Sequence, residues 1–431
     1  MIKALILFIL TYILLLLLPK YRAYIALTSA ITFVILGILP SEKVFTSVDW
    51  NVIMMIAGTM GVVYLFIESK MPSLLADRII EKVPNVKWAI IALSLFAGII
   101  SAFVDNVATV LMVAPIALNI AKKLKISPVS SIIAISISSN LQGVATLVGD
   151  TTSILLSGHA NMDFMDFFLY KGKVGMFWVV QISAFVATLI LLYVLRKENH
   201  KIKIKGKTKV TDYLPTTLLV GMVLALILVS FIPNEFNLGS KTFIKPDITN
   251  GIICMGFLVT GVIDEAIKQG RSRVFFNTLK EIDYFTLLLL GGLFIVIAGI
   301  TEAGVVEEVS KLFVKVSNNN LFRIYTLIVW ASVFFSAFID NIPYVATMLP
   351  VVANIADILG IDPTILYFGL LSGATLGGNI TPIGASANIA GLGILRREGY
   401  EVSAREFMKI SVPFTLAAVT TGYVLIWIIW S

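Results

Sequence analysis

Apolar runs of about 17 to 22 residues recur from one end of the chain to the other, each long enough to cross a hydrocarbon core as a helix. Their spacing predicts spans at 2–18, 22–40, 49–68, 128–157, 173–195, 214–233, 248–264, 283–302, 363–395 and 410–430. The runs at 128–157 and 363–395 are broken at their middles by glycine, proline and hydroxyl residues. Between the third and fourth spans lies an apolar helix-turn-helix at 88–121, and 322–356 repeats it. Its arms are marginal for a full crossing and a polar pair sits at its bend, which reads as a re-entrant hairpin whose tip is buried in protein or faces a wet cavity. Two ordinary crossings joined by a short turn are the alternative. Lys70–Lys82 and Val305–Val316 are amphipathic and read as interfacial helices.

One segment is written twice. Ser101–Val110 reappears as Ser336–Val345, a shift of 235 residues that carries Asp105 onto Asp340, Asn106 onto Asn341, Pro115 onto Pro350 and Asn119 onto Asn354. The same shift takes Thr146 to Thr381 and Gly149 to Gly384. Asp49–Glu68 falls on Asp283–Glu302, with Gly58 on Gly292, at a shift of 234. The fold expected is an all-α polytopic membrane protein of two inverted repeats, each of about five spans plus a hairpin. The first repeat covers 1–195, a basic cytoplasmic linker 196–213, and the second repeat 214–431.

Composition agrees with that class. Of 431 residues, 58% are hydrophobic and 14% charged, far from a soluble average. The first run has one lysine before it and no small-residue cleavage pattern after it, so it reads as a retained helix. The net charge of +7 is loop charge holding the cytoplasmic side, and a nucleic-acid partner is not expected. Arg196–Lys209 holds seven Lys/Arg and one acid and is placed inside. Lys20/Arg22, Lys122/Lys123/Lys125, Lys268/Arg271/Arg273 and Arg396/Arg397/Arg405 then also fall inside, while Asp163, Asp166, Asp357 and Asp362 fall outside with both termini. The expected location is a prokaryotic-type plasma membrane. A single cysteine, Cys254, and two distant histidines, His159 and His200, leave no basis for a disulfide, a thiol metal site or a histidine metal site. No cofactor is expected beyond a coupling ion.

The chemistry concentrates where the repeat is polar. An aspartate in hydrocarbon must be protonated or partnered, and neither hairpin's apolar core contains a lysine or arginine. Asp105 and Asp340 are therefore expected to meet a cation, a proton or helix N-termini, not a fixed ion pair. Both also stand where an aspartate would cap the second hairpin arm. In the broken spans, Asn140, Thr146, Gly149 and Asp150 of the first repeat and Thr375, Asn379, Thr381, Gly384, Ser386 and Asn388 of the second mark unwound segments whose free carbonyl and N–H groups can hold ions. Thr109 joins this set beside the first tip. Close helix packing through small residues is the competing explanation, but it leaves Asp150, Asn379 and Asn388 at membrane depth unexplained. These are hard oxygen ligands, suited to Na⁺ or a proton, with Asp105, Asn106, Asp340 and Asn341 as the candidate Na⁺ contacts. Glu68 and Glu302 match across the repeat but sit at span ends and read as interfacial.

At these residues the chain resembles one branch of the ion transporter superfamily. The resemblance rests on Ser101–Asn106 with Thr109 and Pro115, on the stretch ending at Gly149–Asp150, and on Gly378–Asn388, followed by Gly399, Tyr400 and Phe407. That branch holds arsenite permeases, certain sodium/proton antiporters and the melanosomal P-protein. It is related to divalent-anion/sodium symporters and citrate-transporter-like domains. The resemblance spans nearly the whole chain. It implies paired hairpins, a homodimer, and elevator-type movement of a transport unit against a scaffold. It also implies ion or substrate contact at the four tip residues. The sequence departs from the branch at Asp150–Ser153, where Pro-Pro-Asn is commoner after Gly-Asp.

The expected function is ion-coupled secondary transport of a small ion, with Na⁺ and/or H⁺ exchange first. Na⁺- or H⁺-coupled transport of an inorganic or carboxylate anion or of arsenite is the alternative. Two tip carboxylates disfavour a multiply charged anion unless cations neutralise them. An ion channel is a further reading, separable by flux that follows voltage directly. An intramembrane aspartyl protease would use one asymmetric Asp pair, whereas these acids belong to a repeat with matched neighbours, so no enzyme is expected.

Overall fold

The computed structural model describes residues 1–196, 208–210, 212–233, 235–238, 241–269, 280 and 282–431, with backbone only at 236–238, 241–243 and 269. Most of the basic linker, His200, Arg271 and Arg273 lie outside the described residues.

The first repeat contains α1 (Ile2–Leu17), α2 (Arg22–Ile35), α3 (Trp50–Glu68), α4 (Met71–Ile80), α5 (Val86–Ser101), α6 (Asn106–Leu124), α7 (Val129–Gly143), α8 (Thr151–Ala160) and α9 (Met176–Val194). The second contains α10 (Leu214–Ser230), α11 (Thr249–Gln269), α12 (Tyr284–Glu302), α13 (Val305–Val316), α14 (Leu321–Ser336), α15 (Asn341–Leu359), α16 (Thr364–Gly377), α17 (Ser386–Arg397) and α18 (Ala404–Trp430). The repeat extends to the start and stop signals. Asp49 and Asp283 cap α3 and α12 by accepting the N–H of Val52 and Thr286. Asn85 and Asn320 do the same for α5 and α14, and Asp105 and Asp340 for α6 and α15. Left-handed residues Lys125 and Gly360 end α6 and α15. Among the described residues, seven helices are long and apolar enough to cross a membrane.

Two details differ from expectation. The second hairpin arms are longer than predicted, 19 residues each, because α6 runs past its apolar stretch to Lys122 and Lys123. The second span stops at Ile35, and α1 and α2 meet at 114°. Two short antiparallel hairpins in the connections leave the all-α class intact: β1 (Leu169–Tyr170) pairs with β2 (Lys173–Val174), and β3 (Glu235–Leu238) with β4 (Lys241–Ile244). Lys171 and Gly172 between β1 and β2 both take positive φ, the requirement of a two-residue hairpin turn that hydropathy does not report.

The halves interleave. In α3, Gly58 lets the backbone of Cys254 on α11 come so close that a Cβ would lie 2.5 Å from the Cys254 carbonyl carbon. Its repeat partner Gly292 on α12 admits Ala26 of α2 in the same way, at 2.7 Å. The second span of each repeat therefore packs along the third span of the other. Glu68 at the end of α3 and Asp283 at the start of α12 line one cavity, while Lys43, ahead of α3, pairs with Glu302 at the end of α12. The two repeat-equivalent helices thus run in opposite directions.

Each hairpin tip is clamped to the interruption in its own broken span. The Thr146 hydroxyl donates to the Ala102 carbonyl, and the Thr381 hydroxyl to that of Ala337. Gly149 faces the Ser101 and Ala102 carbonyls, where a Cβ would sit 2.7 and 2.8 Å away, and Gly384 faces Ser336 and Ala337 at the same two distances. Ser101, Ala102, Val104 and Asn106 are buried, so the bend lies within protein, the condition a re-entrant tip requires.

Ion pairs report which connections share a side. Lys171 pairs with Asp362 (2.5 Å), Lys245 with Asp163 (2.6 Å) and Lys43 with Glu302 (2.7 Å) at one end of the molecule. Lys122 pairs with Glu398 (2.5 Å) and Lys268 with Asp212 (2.7 Å) at the other. Exposed pairs contribute little stability, but every one of these joins connections that the charge count places on one side. Gly149→Ala and Gly384→Ala should each lower the thermal unfolding midpoint of purified protein, by the equivalent of about 1–3 kcal/mol, because the added methyl meets rigid backbone carbonyls. An unchanged midpoint would mean the tip is not clamped as described.

Candidate ion-binding site

A cavity of about 390 Å³ opens where the tips and interrupted helices meet. Asp105, Asn106, Asp150, Thr151, Asn341 and Ser386 form its polar floor. Met60, Val63, Tyr64 and Ile67 of α3 and Leu111 and Met112 of α6 form apolar walls, with Glu68 and Asp283 exposed at the mouth. By the charge count this mouth faces the cytoplasm. No lysine or arginine lines the cavity among the described residues.

The floor is held by a buried polar chain running from one tip to the other. Asn106 donates through Nδ2 to Asn140 Oδ1 (2.8 Å), and Asn140 donates to the Thr375 carbonyl (2.8 Å) and Asn379 Oδ1 (3.1 Å). Asn379 returns a bond to the Ile137 carbonyl (2.9 Å). The Thr375 hydroxyl lies 3.0 Å from that of Thr152, which donates to Asp150 Oδ2 (2.5 Å). Asn341 reaches the same Asp150 oxygen from the second tip at 3.4 Å. Ser139 ties in Ser101 and the Asn106 carbonyl, each at 3.0 Å. Interrupting the helices makes this possible, since it exposes backbone groups at mid-span and lets side chains of one repeat reach those of the other.

The residues singled out from sequence separate into distinct jobs. Asp105, Asn106, Asp150, Asn341 and Ser386 face the cavity. Asn140, Thr375 and Asn379 form the chain beneath it. Thr146, Gly149, Thr381 and Gly384 clamp the tips, and Asn388 holds the second interruption through the Gly378 (3.1 Å) and Thr381 (3.3 Å) carbonyls. Thr109 is buried away from the cavity lining, and its hydroxyl, like that of Ser153, has no hydrogen-bond partner among the described residues.

Asp340 requires a correction. A fixed ion pair was not expected, yet Arg22 at the start of α2 reaches Asp340 Oδ2 at 3.0 Å, with 17% of the Arg22 and 9% of the Asp340 side chain exposed. Ser386 donates to the same oxygen at 3.1 Å, and Oδ1 accepts the Ile342 N–H. The expectation considered bases within the hairpin, whereas this one comes from 318 positions earlier in the chain. Asp105, its repeat partner, accepts the backbone N–H groups of Val107 and Ala108, and no basic side chain pairs with it among the described residues. Glu68, Asp283 and Thr151 also line the cavity and Thr152 donates to Asp150; Glu68 sits exposed at the end of α3, where an interfacial residue is expected.

The fold and this polar floor fit an integral, multi-pass membrane protein, and the family and relatives that the chain matches are transporters, not enzymes. Residues 12–371 and 246–431 match the family described as citrate transporter, and the chain belongs to that family within the ion transporter superfamily. It is 30% identical over 418 residues to an uncharacterised transporter of Mycobacterium tuberculosis, covering 94% of this chain and 93% of that one. A 46 kDa membrane protein of Mycobacterium leprae is 29% identical over 98% of this chain and 97% of its own length. The human P protein is 27% identical over 92% of this chain, which spans 56% of that longer protein. Two solved structures share the fold: the YdaH transporter of Alcanivorax borkumensis (TM-score 0.61, 14% identity, 96% of this chain and 97% of that one) and MtrF of Neisseria gonorrhoeae (TM-score 0.57, 16% identity, 90% and 83%).

Asn140→Ala should leave the buried Thr375 carbonyl and Asn379 amide short of a partner and destabilise the protein by about 1–3 kcal/mol per lost partner. Thermal unfolding of purified protein checks this. A midpoint equal to wild type would remove Asn140 from the network.

Proposed function

We propose that the protein is an ion-coupled secondary transporter of the elevator type that exchanges Na⁺ and H⁺. One observation carries the reading: a cavity floored by Asp105 and Asp150, with no basic residue lining it among the described residues. The helix N-terminus that Asp105 caps and the Thr152 hydroxyl on Asp150 offset part of the cost of two carboxylates at membrane depth, and a proton or a cation would neutralise the rest. Alternate occupancy by Na⁺ and H⁺ would do so with one site. The amide oxygens and hydroxyls around them are hard donors suited to Na⁺. Glu68 and Asp283 at the mouth raise the local concentration of cations.

A second reading is Na⁺- or H⁺-coupled uptake of a small carboxylate or inorganic anion, supported by the family's description and by two helix starts at the cavity. Thr151 opens α8 and Ser386 opens α17, and both line the floor, where N-terminal N–H groups favour an anion. In that case a cation at Asp105 and Asp150 would neutralise the site before the anion enters.

The experiment is a Na⁺ pulse given to proteoliposomes with a trapped pH dye under an imposed pH gradient. Wild-type protein should give a Na⁺-driven pH change. Asp105→Asn and Asp150→Asn, matched for insertion, should each slow it at least about tenfold, equivalent to ~1.4 kcal/mol. A full response from either variant would contradict the assignment. A silent wild type in well-inserted vesicles would overturn exchange and favour the coupled-anion reading.

A further inference from the structure

The two tip aspartates occupy matched positions in the repeat, and their surroundings are not matched. Asp340 is paired with Arg22 at 3.0 Å, while among the described residues Asp105 meets backbone N–H groups and the open cavity. The asymmetry traces to one substitution across the repeat. Gly58 meets Cys254 and its equivalent Gly292 meets Ala26, so α11 and α2 are equivalent and Arg22 falls on Asn250. Asn250 is uncharged and donates to Asp163 at 3.2 Å, away from Asp105. Arg22 is held in place by its own Nε donating to the Leu15 carbonyl (3.2 Å). Beside it, the Tyr12 hydroxyl of α1 donates to the Pro343 carbonyl at 2.7 Å, a second tie between the α1–α2 pair and α15.

We propose that Arg22 is a built-in counter-charge for the second hairpin tip, so that a coupling cation is taken at the first tip only. The guanidinium supplies Asp340 with the positive charge that a bound cation would otherwise bring. It shares Oδ2 with the Ser386 hydroxyl while Oδ1 accepts the Ile342 N–H, so both carboxylate oxygens are partnered. Arg22 is thus a specificity-determining residue: it sets how many cations each cycle requires. The cation's role rests on the exchange reading above; the charge pairing does not.

Two measurements test it. In the first, the thermal unfolding midpoints of purified Arg22→Gln, Asp340→Asn and the double variant form a cycle. Each single change leaves one membrane-depth charge uncompensated and should lower the midpoint, and the double variant should recover most of the loss. Midpoint losses that simply add would overturn the pairing. In the second, the Na⁺ dependence of the pH-dye signal is recorded in proteoliposomes. Wild type and Arg22→Lys should show a Hill coefficient of about one, Arg22→Gln about two with a slower rate, and the double variant about one again, since the coefficient is bounded by the number of sites. Arg22→Gln with a wild-type rate and coefficient would overturn the counter-charge role. A wild type without any Na⁺ response would sink the exchange reading, while the unfolding cycle would still decide the pairing.

Discussion

Carboxylates and amides placed at membrane depth must find partners within the protein, because the surrounding hydrocarbon offers none. Everything else in this structure follows from how that requirement is met. The helices at 129–160 and 364–397 are interrupted at mid-span. Their interruptions supply carbonyls and amides to a chain of bonds that runs from Asn106 through Asn140 and Thr375 to Asp150 and Asn341. Neither repeat could satisfy its own share. Asn140 of the first repeat needs Thr375 and Asn379 of the second, and Asn379 needs the Ile137 carbonyl of the first. The hydrogen bonding that makes the polar floor affordable also locks the two halves together.

Packing repeats the same exchange on a larger scale. Gly58 and Gly292 let the second span of each half lie along the third span of the other. The cavity forms between the outer pairs so made and the clamped tips. Its walls are apolar and its floor is acidic, so a charged solute inside is held by a few directed groups. Within this frame a symmetric sequence produces an asymmetric site. One tip carboxylate is neutralised by Arg22, and the other faces the cavity alone.

Much of this was legible in the chain. Hydropathy located the spans, and the shift of 235 residues identified the tips, the prolines and the clamping threonines as matched pairs. Asp105, Asn106, Asp150, Asn341 and Ser386 could be singled out because a polar side chain among apolar runs needs a physical reason. The division of labour among them could not be read, because it depends on which partner each side chain meets across the repeat. Thr146 and Thr381 stand among the candidate ligands in sequence, and in the structure each hydroxyl donates to a carbonyl of its own hairpin tip. Arg22 reads in sequence as a loop charge marking the cytoplasmic side; its pairing with Asp340, 318 positions away, is a tertiary contact that hydropathy does not encode. The small hairpin at Leu169–Val174 was hidden for a similar reason, since its signal lies in the φ of Lys171 and Gly172.

The central claim is that a monovalent cation binds on the cavity floor beside Asp105 and Asp150. Anomalous diffraction from crystals in which Tl⁺ replaces Na⁺ tests it most directly, because Tl⁺ occupies oxygen-lined monovalent sites and scatters strongly. The account predicts one membrane-depth peak against the carboxylates of Asp105 and Asp150, lost in Asp105→Asn, and none beside Asp340. A peak at Asp340, or an empty floor at saturating Tl⁺, would contradict it.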